Sequence, residues 1–98
     1  MKDFLSKFDK LLESKARLGI MSVLSVNDSM DYKSLKELLN LTDGNLASHI
    51  TSLEKESYVK AAKSFIGKKP NTKYSITAKG RKAFIEHLEA LENLLKNR

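Results

Sequence analysis

Between Ser34 and Tyr58 two short amphipathic helical patterns follow one another with only a tight polar turn between them, and no other feature constrains the fold as much. In the first, Leu35, Leu38 and Leu39 are expected to face inward. Asn40 then falls where a left-handed residue usually closes a helix, a conformation Asn tolerates. Thr42 is placed to cap the second helix, and Asp43 in its first turn suits the positive end of the dipole. Leu46, Ile50 and Leu53 recur at i, i+4, i+7 as a buried stripe, and Asn45, Ser48, His49 and Ser52 form the opposite one. That exposed stripe is small and hydrogen-bonding rather than rich in Lys and Glu, which suits the reading of a polar surface.

The chain after Tyr58 changes character. Val59 to Ile66 and Lys73 to Ile76 have strand character, and residues 67–72 between them are turn formers with the only proline, Pro70. From Val59 to Lys82 there are eight basic residues and no acid, in a chain of net charge +6, so the remaining residues sum to −2. The basicity is therefore local, as a binding face requires. A helix-turn-helix followed by a basic hairpin suits a polyanionic duplex.

Ninety-eight residues make one domain. With no cysteine, disulfides and thiolate metal sites are excluded. The apolar runs are far short of the roughly 20 residues that span a bilayer, and the N-terminus lacks a signal-peptide pattern, so a cytoplasmic protein away from the membrane is expected. His49 and His87 lie in different elements without acids at ligand spacing, so neither metal nor cofactor is expected. Phosphate-binding loops, nucleophile elbows and paired catalytic carboxylates are missing, and the chain does not read as an enzyme.

Helical patterns flank this middle section. Phe4, Leu5, Phe8, Leu11 and Leu12 recur at helical spacing, and residues 16–26 are apolar nearly all round, as in a helix packed on several sides. Arg17 has two readings, contact with a nucleic-acid backbone or an internal pair with an acid. Met30 to Tyr32 allows only a brief extended piece. Thr77 should cap a last helix to about Leu95, whose stripe Phe84, Leu88, Leu91 and Leu95 has the spacing of a helix–helix seam.

At Leu38-Leu39-Asn40-Leu41-Thr42-Asp43-Gly44-Asn45-Leu46-Ala47-Ser48-His49-Ile50, Leu53 to Val59, Lys63 to Pro70 and Tyr74 to Arg81, the chain resembles winged helix-turn-helix regulators of the MarR and ArsR type. The likeness covers residues 14–95 and is closest to the small branch with little beyond the DNA-binding domain. It implies a mainly α fold with a small β-hairpin, a core at 14–82, and dimerisation helices at 3–13 and 83–96. It further implies a dimeric repressor on a pseudo-palindromic duplex operator, with no effector evident.

DNA contacts are then expected from Thr42, Gly44, Asn45, Ser48, His49, Ser52, Lys63, Lys68, Lys69 and Lys73. Pairing of subunits is expected from Phe4, Phe8, Leu11, Phe84, Leu88, Leu91 and Leu95. Two positions depart from the family pattern. Ser57 stands where glycine is usual, and Lys68 and Lys69 replace wing arginines, keeping phosphate attraction without a planar fork. The alternative is a winged-helix assembly module whose basic face meets an acidic protein partner.

Overall fold

The computed structural model describes residues 5–96. A 3-10 turn at Lys10–Glu13 precedes α1 (Lys15–Val26), β1 (Met30–Asp31), α2 (Tyr32–Leu39), α3 (Asp43–Lys55), β2 (Val59–Ile66), β3 (Lys69–Ile76) and α4 (Ala78–Lys96). The three strands form one antiparallel sheet in the order β1-β3-β2. This is a winged helix: among the described residues α1 to α4 pack with a short first strand and a long hairpin.

The turn between α2 and α3 is closed by local chemistry. Asn40 takes φ +53, its N–H reaches back to α2, and the Leu41 amide donates to the Lys36 carbonyl at 3.1 Å. Thr42 Oγ1 accepts from the Asn45 amide at 3.1 Å. Tyr32 Oη donates to the Asp43 carbonyl at 2.7 Å, and Lys36 pairs with Asp43 at 3.0 Å, tying the start of α3 to α2. One inward assignment is corrected. Tyr32, Leu35 and Leu39 pack toward the core, whereas Leu38 lies about 100° round from Leu39 and is 61% exposed.

At the other end of α3, Ser57 takes φ +63, the conformation glycine usually supplies. Its amide donates to Glu54 O and the Tyr58 amide to Leu53 O, both at 2.9 Å, and the buried side chains of Tyr58 and Leu53 complete the cap. Thr77 fastens the start of α4 to this junction. Its amide donates to Tyr58 O at 3.0 Å, its hydroxyl donates to Ser57 O at 2.6 Å, and its Oγ1 accepts from the Gly80 amide at 2.9 Å. A Cβ on Gly80 would sit 2.1 Å from the Tyr58 carbonyl oxygen, so only glycine allows this approach.

The second wing strand starts earlier than Lys73, at Lys69, because the turn is only Gly67-Lys68. Gly67 at φ +65 supplies the positive φ that a two-residue hairpin turn needs. In such a hairpin Ile66 and Lys69 exchange hydrogen bonds, so the next pair, Phe65 and Pro70, does not. Pro70 also lies beyond the reach of β1, which pairs only with Lys73 and Tyr74. Its missing N–H therefore costs no ladder bond.

The N-terminal segment is not one continuous helix. Residues 5 and 6 are helical, but Asp9 is extended and caps the 3-10 turn, its Oδ1 accepting from the Leu11 amide at 2.9 Å. Phe4 lies outside the described residues. Leu12, Ile20, Met21, Leu24, Leu35, Leu46, Ile50, Leu53, Tyr58, Val59 and Phe84 make one core. A radius of gyration of 14.8 Å exceeds the roughly 13 Å of a compact chain this size, and the long axis reaches 55 Å.

Gly80→Ala should lower the unfolding free energy by about 2–3 kcal/mol, since a methyl group cannot be placed without moving backbone. Ser57→Gly should raise it by up to about 1 kcal/mol, the left-handed strain outweighing the entropy cost of glycine. Urea titrations of the two variants check both signs.

Candidate nucleic-acid interface

α3 is fixed from below by Leu46, Ile50 and Leu53, all essentially buried, and this rolls Gly44, Asn45 and Ser48 into solvent. Thr42 stands at the same end, exposed but with its Oγ1 in the cap. Ser52 is half-buried and its hydroxyl donates to Ser48 O at 3.1 Å, so only its acceptor lone pairs remain for another molecule.

His49 is half-buried and has an internal partner. Arg17 Nη1 lies 3.1 Å from His49 Nδ1, and Arg17 Nε donates to the Leu11 carbonyl at 2.6 Å. The internal reading of Arg17 is thereby corrected in its partner: it is braced on a carbonyl and an imidazole, not on an acid. Burial lowers the His49 pKa from its ordinary value, and the charge of Arg17 adds to the effect.

Lys63, Lys68, Lys69 and Lys73 are all exposed, but the register divides them. Lys69 and Lys73 share one hairpin face with Ile66, Lys63 lies on the other with Phe65, and Lys68 is in the turn. Further along, Arg81 Nη1 donates to Ser25 O at 3.0 Å, and Lys79 pairs with Glu56 at 3.6 Å. Those two cations brace the fold. Reasoning from sequence missed the wing tip, where Phe65 is 73% and Ile66 is 66% exposed. Their only sequence signal is a strand that runs longer than the body it packs on.

The expected pairing residues fall into two groups. Phe84 is 6% exposed and belongs to the chain's own core, so its inclusion in a seam between subunits is corrected. Phe8, Leu11 and Leu91 are half-buried, Phe8 with its ring edge-on to His87 at 5.7 Å. Leu88 and Leu95 are exposed, and Ile85 joins them on the same side of α4. Among the described residues no group of three side chains could hold a metal ion, and no helix is long and apolar enough to cross a membrane.

A polar helix face capped by Thr42, followed at once by a cationic hairpin, defines a winged-helix nucleic-acid-binding protein. Residues 16–95 match the winged helix DNA-binding domain model, and the chain belongs to that family. It is 39% identical over 88 residues to an uncharacterized protein of Methanocaldococcus jannaschii, covering 90% of this chain and 96% of that one. The transcriptional regulator homologue protein from Pyrococcus horikoshii OT3 superposes with a TM-score of 0.85 at 32% identity, over 97% of this chain and 92% of that chain. YusO from Bacillus subtilis shares the fold, with a TM-score of 0.74 at 16% identity over 97% and 70% of the two chains. Family and fold are those of a winged-helix DNA-binding regulator, as the resemblance implied.

Because the His49 pKa is lowered by folding, the unfolded chain takes up that proton first as the pH falls. The stabilisation from this group is complete above the ordinary value of 6.5 and is lost as pH drops from there through the folded pKa. Chemical denaturation of the wild type and of His49→Ala across pH 7.5 to about 5 should show the variant with the shallower decline.

Proposed function

We propose that the protein is a cytoplasmic, homodimeric transcriptional repressor that binds a pseudo-palindromic duplex operator. The observation that carries this reading is the polar face of α3, with Asn45 and Ser48 in solvent opposite the buried stripe Leu46, Ile50 and Leu53. Such a helix can enter the major groove without disturbing the core. Asn is the natural bidentate partner of adenine N6 and N7. Thr42, Gly44, His49 and Ser52 extend the same surface, and the first-turn amides near Gly44 can meet a phosphate. Lys63, Lys68, Lys69 and Lys73 supply attraction to the backbone from both faces of the wing.

The dimer reading is supported by the exposed side of α4, where Ile85, Leu88 and Leu95 recur at helical spacing on the outside of the body. Together with Phe8, Leu11 and Leu91 they offer an apolar surface that a second copy would cover. The repeat of α3 across a two-fold axis would match a half-site repeat of one helical turn.

A second reading, a winged-helix assembly module for an acidic protein, is favoured by Phe65 and Ile66, since apolar anchors beside lysines suit such a partner. Salt-dependent binding of the purified chain to random duplex DNA decides for the first reading, and its absence decides for the second.

Asn45→Ala should leave stability unchanged and cost about 1–3 kcal/mol at one base position of a duplex selected from random sequence. Lys68→Ala with Lys69→Ala should weaken all duplexes alike and shrink the slope of log K against log salt by up to about 2. Equal loss by Asn45→Ala on selected and random duplexes, or no loss on either, would remove sequence reading from α3. In the dimer test, Ile85→Lys with Leu88→Lys should yield a folded monomer in sedimentation, since both positions are open to solvent in the single chain. A variant that stays dimeric places the interface elsewhere.

A further inference from the structure

We propose that Arg17 is a positioning residue for base reading: it fixes His49 as the Nε2–H tautomer, leaving that N–H on the face of α3 as a donor to a purine N7 in the major groove. The inference rests on the DNA-binding reading above and deepens it. A guanidinium carries donors only, so its 3.1 Å contact with His49 Nδ1 requires a lone pair on that nitrogen. A neutral ring must then hold its hydrogen on Nε2. A doubly protonated ring would set N–H against N–H.

Arg17 is itself immobilised. Its Nε donates to the Leu11 carbonyl at 2.6 Å, and its backbone amide donates to Ser14 Oγ at 3.2 Å. Leu11 lies in the 3-10 turn, which is anchored through the fully buried Leu12. A rigid path therefore runs from the N-terminal segment to an imidazole of the reading stripe. Among the described residues no protein acceptor meets His49 Nε2, so its N–H is open to a ligand. A fixed donor there donates to N7 of guanine or adenine and rejects the amino group of cytosine.

The test has a spectroscopic arm and a binding arm, both on the full chain. In 15N NMR at neutral pH, the ring that disappears in His49→Ala should show an unprotonated Nδ1 and a protonated Nε2 in the wild type. Arg17→Met should mix the two tautomers. In the binding arm, 7-deazapurine is placed singly through a duplex selected by the wild type. At one position it should cost the wild type about tenfold and cost His49→Ala and Arg17→Met little. A wild-type ring protonated on Nδ1 overturns the proposal, as does a full 7-deaza penalty retained by His49→Ala. That second comparison leaves Arg17 intact and so holds even where Arg17→Met fails to fold. Correct tautomer with no affinity for any duplex overturns the DNA reading itself, and base reading by His49 with it.

Discussion

The arrangement of the molecule depends on the three polar groups of Tyr58. Its amide closes α3 on Leu53 O, its carbonyl accepts from Thr77 at the start of α4, and its phenol donates to Asp9 Oδ2 at 2.5 Å in the N-terminal segment. Burial, then the Asp9 hydrogen bond and charge, push the phenol well above the usual tyrosine range, so it remains a donor at any physiological pH. Asp9 continues the path, its amide donating to Nδ1 of the buried His87 at 3.0 Å. The recognition helix, the root of the wing at Val59, the long helix and the N-terminal segment thus share one residue as their joint. Each bond is worth roughly 1 kcal/mol net, but together they fix angles between elements that no apolar contact would specify.

That joint contains its own strain. Ser57 in the left-handed region costs about 1 kcal/mol or more, and Gly80 meets the Tyr58 carbonyl at a distance no other residue permits. The Thr77 hydroxyl answers both features, donating to Ser57 O and accepting from Gly80 N. If the chain pairs as proposed, reading two half-sites would need a fixed relation between α3 and the pairing surface. Locking α3 to α4 through backbone groups provides that relation without a large core.

Much of this was legible from local signals. Thr42, Thr77 and Asn40 each announce a helix end by side-chain chemistry that acts within a few residues, and each is found in that role. The buried stripe of α3 followed from its period. What failed were features decided by tertiary contact. Asp9 reads as a polar residue on a helix, yet its bonds to Tyr58 and His87, 49 and 78 residues away, favour an extended cap over another helical turn. The apolar stripe of α4 was read through Phe84 as one seam, while the inward side runs through Gly80, Phe84, His87 and Ala90. A histidine and two small residues carry no hydrophobic signal, so the true inward face was hidden and the outward leucines seemed to be all of it. Arg17 was ambiguous because a guanidinium states what it donates, not to what.

The division of labour among the cations explains the substitutions on the wing. Both arginines in the described residues are bound to carbonyl oxygens, Arg17 to Leu11 and Arg81 to Ser25, where a planar fork with several donors can brace one element on another. The wing lysines are exposed on both faces and at the turn, and as flexible point charges they attract phosphate without fixing a register. On the proposed function, electrostatic approach would come from the wing and recognition from α3, where Arg17 holds His49. On that reading many duplexes would be bound weakly through lysine, and the choice among them would rest on the geometry that Arg17, Tyr58 and Thr77 impose on a single helix.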